Sequence, residues 1–178
     1  SLHGMDRDAW KRFGSDDFKH YVVREPGFKY NMTDLQASLG LVQLHKIERN
    51  WEKRKIVWEY YNDKLKNLPI TLPCPIDHDI KHGYHLYTIL INKKEAGISR
   101  NQFLSEMHKH KIGLAVHYLS MPEHPYYKKE LGWKSTDFPN AERVGRETAS
   151  LIITPDITKK NLDYIIDKIK YVFDTCNK

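Results

Sequence analysis

The residues of this 178-residue sequence that could do chemistry are its ten histidines and one loop that joins a cation, an amide and a helix cap. His108 and His110 stand two apart in a stretch with helical spacing, so they project in different directions and make a poor metal pair. His82, His85, His117 and His124 fall near strand-like and loop-like segments, with no H-x-x-x-H spacing and no Cys/His cluster to join them. No metal site is expected. Cys74 and Cys176 stand alone, which excludes a disulfide framework or a zinc knuckle. A Gly-rich phosphate loop and a G-x-S-x-G nucleophile elbow are both missing. By residue type alone, attention falls on Tyr30, His85 and His117.

The loop is Gly27-Phe-Lys-Tyr-Asn-Met-Thr-Asp-Leu-Gln-Ala37. Lys29 and Asn31 precede Thr33, which stands three residues before Gln36 in a capping-box pattern. Such a loop either simply starts a helix or places donors near a phosphate with help from the helix dipole.

The elements that must position these residues follow from periodicity. Leu35, Leu39, Val42, Leu44, Ile47, Trp51, Trp58, Tyr61 and Leu65 predict one long helix to about Lys66, with a bend allowed near Gly40 or Asn50 and its apolar face in a core. The β-branched and aromatic run Tyr84–Ile91 predicts a strand. Ser99 caps a predicted helix carrying Phe103, Leu104 and Met107. Short strands are expected over Gly113–Tyr118 and Leu151–Ile153, with a Pro- and Gly-bearing loop with partial helix over Ser120–Phe138 and a helix from Asn140 to about Ala149. Thr158 caps the last helix, with Leu162, Ile165, Ile166, Ile169, Val172 and Phe173 inward. The order predicts an α+β fold: a short, mostly antiparallel sheet packed with helices and preceded by a long helix. The expected organisation is a linking arm over residues 1–32, a connecting helix over 33–68 and a small α+β domain over 69–178.

Composition bounds the function. Hydrophobic residues make up 40% of the chain and aromatics 12%, enough for a real core. No run approaches the roughly 20 apolar residues of a membrane span, and residues 1–7 do not read as a secretory signal. Sparse cysteine fits a reducing cytoplasm. The net charge of +6 suits phosphorylated or polyanionic partners, but the lysines are scattered, so no nucleic-acid partner is expected.

Gly27 to Leu44 reads G-F-K-Y-N-M-T-D-L-Q-A-S-L-G-L-V-Q-L. This closely resembles the G-Y-[NK]-Y-[RN]-M-[TS]-D-x-Q-A-A-x-G-x-x-Q-L pattern of the DegT/StrS-type sugar aminotransferases. The likeness continues through Leu2-His-Gly-Met-Asp-Arg7, Tyr84-His-Leu-Tyr87, Val116-His-Tyr118, His124-Pro-Tyr-Tyr127, Phe138-Pro-Asn-Ala-Glu-Arg143 and Asp156-Ile-Thr158, and so covers essentially the whole chain.

The resemblance implies the small C-terminal domain of a fold-type-I pyridoxal-phosphate enzyme. It implies transfer of an amino group, usually from glutamate, to a nucleotide-linked keto sugar by a homodimer with shared active sites. The lysine that forms the Schiff base is then expected upstream of residue 1, and these residues alone are expected to be inactive. The resemblance further implies that Asn31 and Lys29 reach the cofactor phosphate, and that His85, Tyr87, His117 and Tyr118 position substrate. One departure stands out: many family members continue H-[FY]-x-P-x-H, and His117-Tyr-Leu-Ser-Met-Pro122 places Ser120 and Pro122 at the proline and second histidine. A non-catalytic sugar-nucleotide or protein-binding module is the alternative this departure favours.

Overall fold

A computed structural model of the chain describes residues 3–5 and 22–176. The chain divides into two compact units, residues 1–47 and 48–178.

In the first unit, residues 3–5 lie along residues 23–28. Met5 and Val23 form an antiparallel bridge, the Arg24 N–H donates to the Gly4 carbonyl at 2.9 Å, and the His3 N–H donates to the Phe28 carbonyl at 3.2 Å. Helix α1 (Asp34–Leu44) then begins at the expected capping box: Thr33 Oγ1 accepts the Gln36 N–H at 3.3 Å and Gln36 Oε1 accepts the Thr33 N–H at 3.0 Å.

The single long helix of the sequence reading is corrected. The chain turns at His45–Lys46, where the Lys46 N–H closes back onto the Gln43 carbonyl three residues earlier, and helix α2 (Ile47–Leu65) starts afresh. The core assignment is corrected for the first half as well. Helix α1 buries no residue, and Leu35 and Leu39 are 73% and 61% exposed.

The second unit is built on strands β1 (Tyr87–Leu90) and β2 (Thr148–Leu151), which pair antiparallel with Tyr87 opposite Leu151 and Leu90 opposite Thr148. Single antiparallel bridges extend this pair on both sides: Thr71 on Leu90, and Ala115 on Ser150. The strand expected over Gly113–Tyr118 is thus one bridge. Both observed strands are shorter than or shifted from the predicted runs. Tyr84 sits at φ 47, in the left-handed region that a strand cannot use, so β1 starts only at Tyr87.

Helices close over one face of the pair. From α2 come Val57, Trp58, Tyr61 and Leu65; helix α3 (Lys93–Ala96) adds Ala96. Helix α4 (Arg100–Lys109) contributes Phe103 and Met107 and starts at the predicted Ser99 cap, now a full capping box with Gln102. Helix α7 (Lys159–Cys176) buries Leu162, Ile165, Ile166, Ile169, Val172 and Phe173, the six residues its periodicity assigned. Phe103 stacks on Phe173 with ring centroids 5.3 Å apart. Helix α5 (Pro125–Leu131) starts with a proline in its first turn and stops at Gly132, whose φ of 65 suits a left-handed cap. Helix α6 (Pro139–Glu147) runs straight into β2.

Two tyrosines tie the core together. Tyr61 and Tyr87 are fully buried with ring centroids 4.9 Å apart. The Tyr61 hydroxyl donates to the Ile152 carbonyl at 2.9 Å, and that of Tyr87 to Asn62 Oδ1 at 2.7 Å. Burial first, and the neighbouring Tyr87 phenol second, push the pKa of the Tyr61 phenol up. Burial does the same to Tyr87. Because the folded state raises both values, their stabilisation is complete below the ordinary tyrosine value of about 10 and is lost as pH climbs past it. In an alkaline titration, part of the tyrosinate absorbance should therefore rise only as the helical circular dichroism collapses. Full ionisation of all 11 tyrosines with the helical signal intact would contradict this burial.

Candidate functional site

The structure brings two of the sequence-nominated residues, His85 and His117, to one cavity of about 320 Å³. Its polar lining comes from Arg54 of α2, His85, His117, Ser150 of β2 and Thr154. Each arrives for a local reason. Arg54 lies four residues before Trp58 and seven before Tyr61, so helical spacing carries it along the inward face of α2 to the edge of the core. His85 follows Tyr84, whose left-handed backbone is held by its buried ring, with centroids 5.5 Å from those of both Trp51 and Trp58. The Trp51 indole N–H donates to the His82 carbonyl at 2.6 Å, and the Tyr84 N–H donates to His82 Nδ1 at 3.2 Å, which pins the turn before His85.

His117 is set by β2. Ala115 and Ser150 exchange backbone hydrogen bonds at 3.3 and 2.8 Å, and two residues on, His117 Nδ1 lies 2.8 Å from Ser150 Oγ. Ser150 is only 4% exposed, so the pair orients the imidazole and leaves Nε2 for a ligand; among the described residues no third group makes it a nucleophile–base arrangement. The Tyr118 ring stands edge-on to His117 with centroids 4.8 Å apart and is largely exposed. His117 also lines a second cavity of about 640 Å³, together with His82, Asp77, Thr88, Arg143 and Thr148.

Tyr87 does not join them. It is fully buried and its hydroxyl is engaged with Asn62, so it supports the site from the core and presents no atom to a ligand. Sequence reading passed over two contributors. Ser150 stands just before the apolar run Leu151–Ile153; Arg54 stands among the charges of a helix face. The signal for Arg54 was its i+4 and i+7 spacing to the inward Trp58 and Tyr61.

Lys29 and Asn31 belong to the first unit. Both are exposed, and neither side chain has a hydrogen-bond partner among the described residues. The rings of Phe28 and Tyr30 stack beside them with centroids 5.5 Å apart. At the start of α1 the capping box already takes the Thr33 and Gln36 amides, and Asp34 answers the helix dipole. An anion held there would rely on the Lys29 ammonium and the Asn31 amide, a donor set that suits a phosphate dianion. Ser120 and Pro122, the departures after His117, are both buried, and a Cβ on Gly145 of α6 would meet the Ser120 nitrogen at 2.7 Å.

The sequence profile described as the DegT/DnrJ/EryC1/StrS aminotransferase family matches residues 1–170. The chain belongs to this family. It is 40% identical over 171 residues to the uncharacterized protein MJ1066 of Methanocaldococcus jannaschii and 34% identical to the spore coat polysaccharide biosynthesis protein SpsC of Bacillus subtilis. Each match covers 96% of this chain and 44% of the relative. Among solved structures, the sugar aminotransferase candidate Spr1654 of Streptococcus pneumoniae in its PLP form superposes with a TM-score of 0.76 at 30% identity, covering 99% of this chain and 42% of that one. Spr1654 has also been solved in a PMP form, so pyridoxal phosphate, the cofactor expected from the sequence, is found among the structural relatives. The chain spans under half the length of the relatives it matches. The α+β fold with a short antiparallel sheet agrees with these neighbours.

The family motif at Gly27 now has a physical reason. A Cβ on Gly27 would lie 2.2 Å from the Gly4 nitrogen, and Gly4 itself sits at φ 73 against the Glu25 carbonyl. The two motif segments are backbone-to-backbone neighbours. Gly27→Ala should separate them and free the Arg24 amide from the Gly4 carbonyl, read as faster hydrogen exchange at Arg24. Unchanged exchange there would show that the close approach is not needed.

Proposed function

We propose that the protein containing this chain is a pyridoxal-phosphate-dependent aminotransferase that moves an amino group from an amino acid, glutamate by family resemblance, to a keto sugar carried on a nucleotide. The observation that carries the reading is the family match over residues 1–170, together with the convergence of His85 and His117 on one cavity. When bound, pyridoxal phosphate supplies the electron sink for the transfer. This reading puts its lysine anchor outside these 178 residues, which cover 44% of SpsC.

The chain's own residues bind and orient. Lys29 and Asn31 would hold the cofactor phosphate, as a cation and an amide donor without other partners among the described residues. His117, fixed through Nδ1 by Ser150, would offer Nε2 to a sugar hydroxyl or carbonyl, and His85 would line the same wall. Tyr118, exposed and set edge-on against His117, would cover the substrate from solvent. Two copies sharing their active sites fit the apolar face that α1 leaves exposed. In this reading the arm, the connecting helices and the small domain divide as the sequence suggests, near residues 32 and 68.

The test uses the full-length protein, loaded with pyridoxal phosphate and followed by the cofactor's absorbance as an amino-acid donor and then a nucleotide-linked keto sugar are added. Asn31→Ala should weaken cofactor affinity about ten- to hundredfold, the range for one hydrogen bond to a charged group. His117→Ala should raise KM for the keto sugar while leaving cofactor binding intact. A full-length protein that takes up no cofactor would sink the proposal and leave the non-catalytic binding module.

A further inference from the structure

Among the described residues, Arg54 is a cation without a counterpart. Its Nε is buried and unpartnered, and no hydrogen bond or ion pair engages the guanidinium among the described residues. The lysines on α2 and just after it differ: Lys53 meets Asp156 at 3.4 Å, Lys55 meets Glu59 at 4.0 Å, and Lys64 and Lys66 share Asp63. An unsatisfied buried donor is costly and calls for an explanation. The cavity Arg54 lines supplies one. Its other polar walls are His85, His117, Ser150 and Thr154, and no aspartate or glutamate lines it. With Nδ1 of His117 engaged by Ser150, the side chains around the void are rich in donors and hold no negative charge.

We propose that Arg54 is an oxyanion receptor, which takes a carboxylate or phosphate oxygen of the molecule held against His85 and His117. The guanidinium is planar and permanently charged, and its fork matches either oxyanion. The proposal rests on reading this cavity as the substrate wall. It adds to that wall a charged anchor that fixes which end of the substrate enters. A planar carboxylate would mark the amino-acid donor. A diphosphate would mark the nucleotide-linked acceptor.

The experiment is calorimetric titration of the full-length protein, in buffer containing pyridoxal phosphate so that the cofactor's own phosphate site is filled. The probes are glutarate and, separately, inorganic pyrophosphate. One of them should bind the unaltered protein, and Arg54→Met should weaken that probe about tenfold or more. Arg54→Lys, which keeps the charge but loses the fork, should fall between the two. Lys53→Met, next door but paired with Asp156, should bind as the unaltered protein does. Which probe responds identifies the oxyanion's source. Equal binding by all four proteins, or no binding of either probe, overturns the proposal. So does a drop in thermal unfolding temperature for Arg54→Met with probe affinity unchanged, since Arg54 would then serve only to hold the fold. Because binding is read apart from turnover, Arg54-dependent binding in a protein that aminates no sugar would retain this inference and reject the aminotransferase reading. Amination with a KM for both substrates indifferent to Arg54→Lys would do the opposite.

Discussion

The second unit depends on the register of two four-residue strands. Tyr87 and Ile89 of β1 face Leu151 and Ala149 of β2, and all four are buried in the core. The alternate positions, Thr88, Leu90, Thr148 and Ser150, face the other way, and all four line the two cavities that share His117. A slip of one residue would exchange the two sets. The pair is short, but Ser150 is fixed from three directions: it stands opposite Thr88 of β1, exchanges both backbone hydrogen bonds with Ala115, and meets His117 through its hydroxyl. One residue thus links sheet order to imidazole orientation.

The aromatic residues of α2 do similar work on the other wall. Trp58 meets His82, Tyr84 and Tyr87, with centroids 4.8, 5.5 and 4.8 Å away, while Tyr61 reaches Tyr87 and the Ile152 carbonyl. These contacts hold Tyr84 in a backbone conformation that a bulky residue seldom adopts. The strained turn and the helix edge then present His85 and Arg54 to the same space. Core packing and site geometry are one arrangement here, so a substitution in the Trp58–Tyr61–Tyr87 group should disturb both.

The first unit follows a different logic. Its helix buries nothing, yet it carries a regular apolar stripe, and the loop before it holds a cation and an amide without partners among the described residues. Apolar stripes at helical spacing are covered in folded proteins. The chain spans 44% of the length of its relatives, and in the proposed aminotransferase other protein would cover that stripe and share those two donors.

Much of this was legible in the sequence. The caps at Thr33, Ser99 and Thr158, the inward residues of α7, the α+β class and the family followed from the residues themselves, because caps, periodicity and motif strings are local properties. The break at His45–Lys46 was not, since no glycine or proline marks it. Nor was the burial of Tyr87: its motif partner His85 lies two residues away, but the left-handed turn at Tyr84 and the start of β1 send the two to different environments. The meeting of Arg54 and Ser150 with His85 and His117 joins positions up to 96 residues apart in the numbering, and only the pairing of β2 with β1 and Ala115 brings them together. The sequence alone determined which residues could cap, pack and bind. Tertiary structure decided which of them share a cavity, because that depends on strand register and on a backbone turn held by rings distant in the chain.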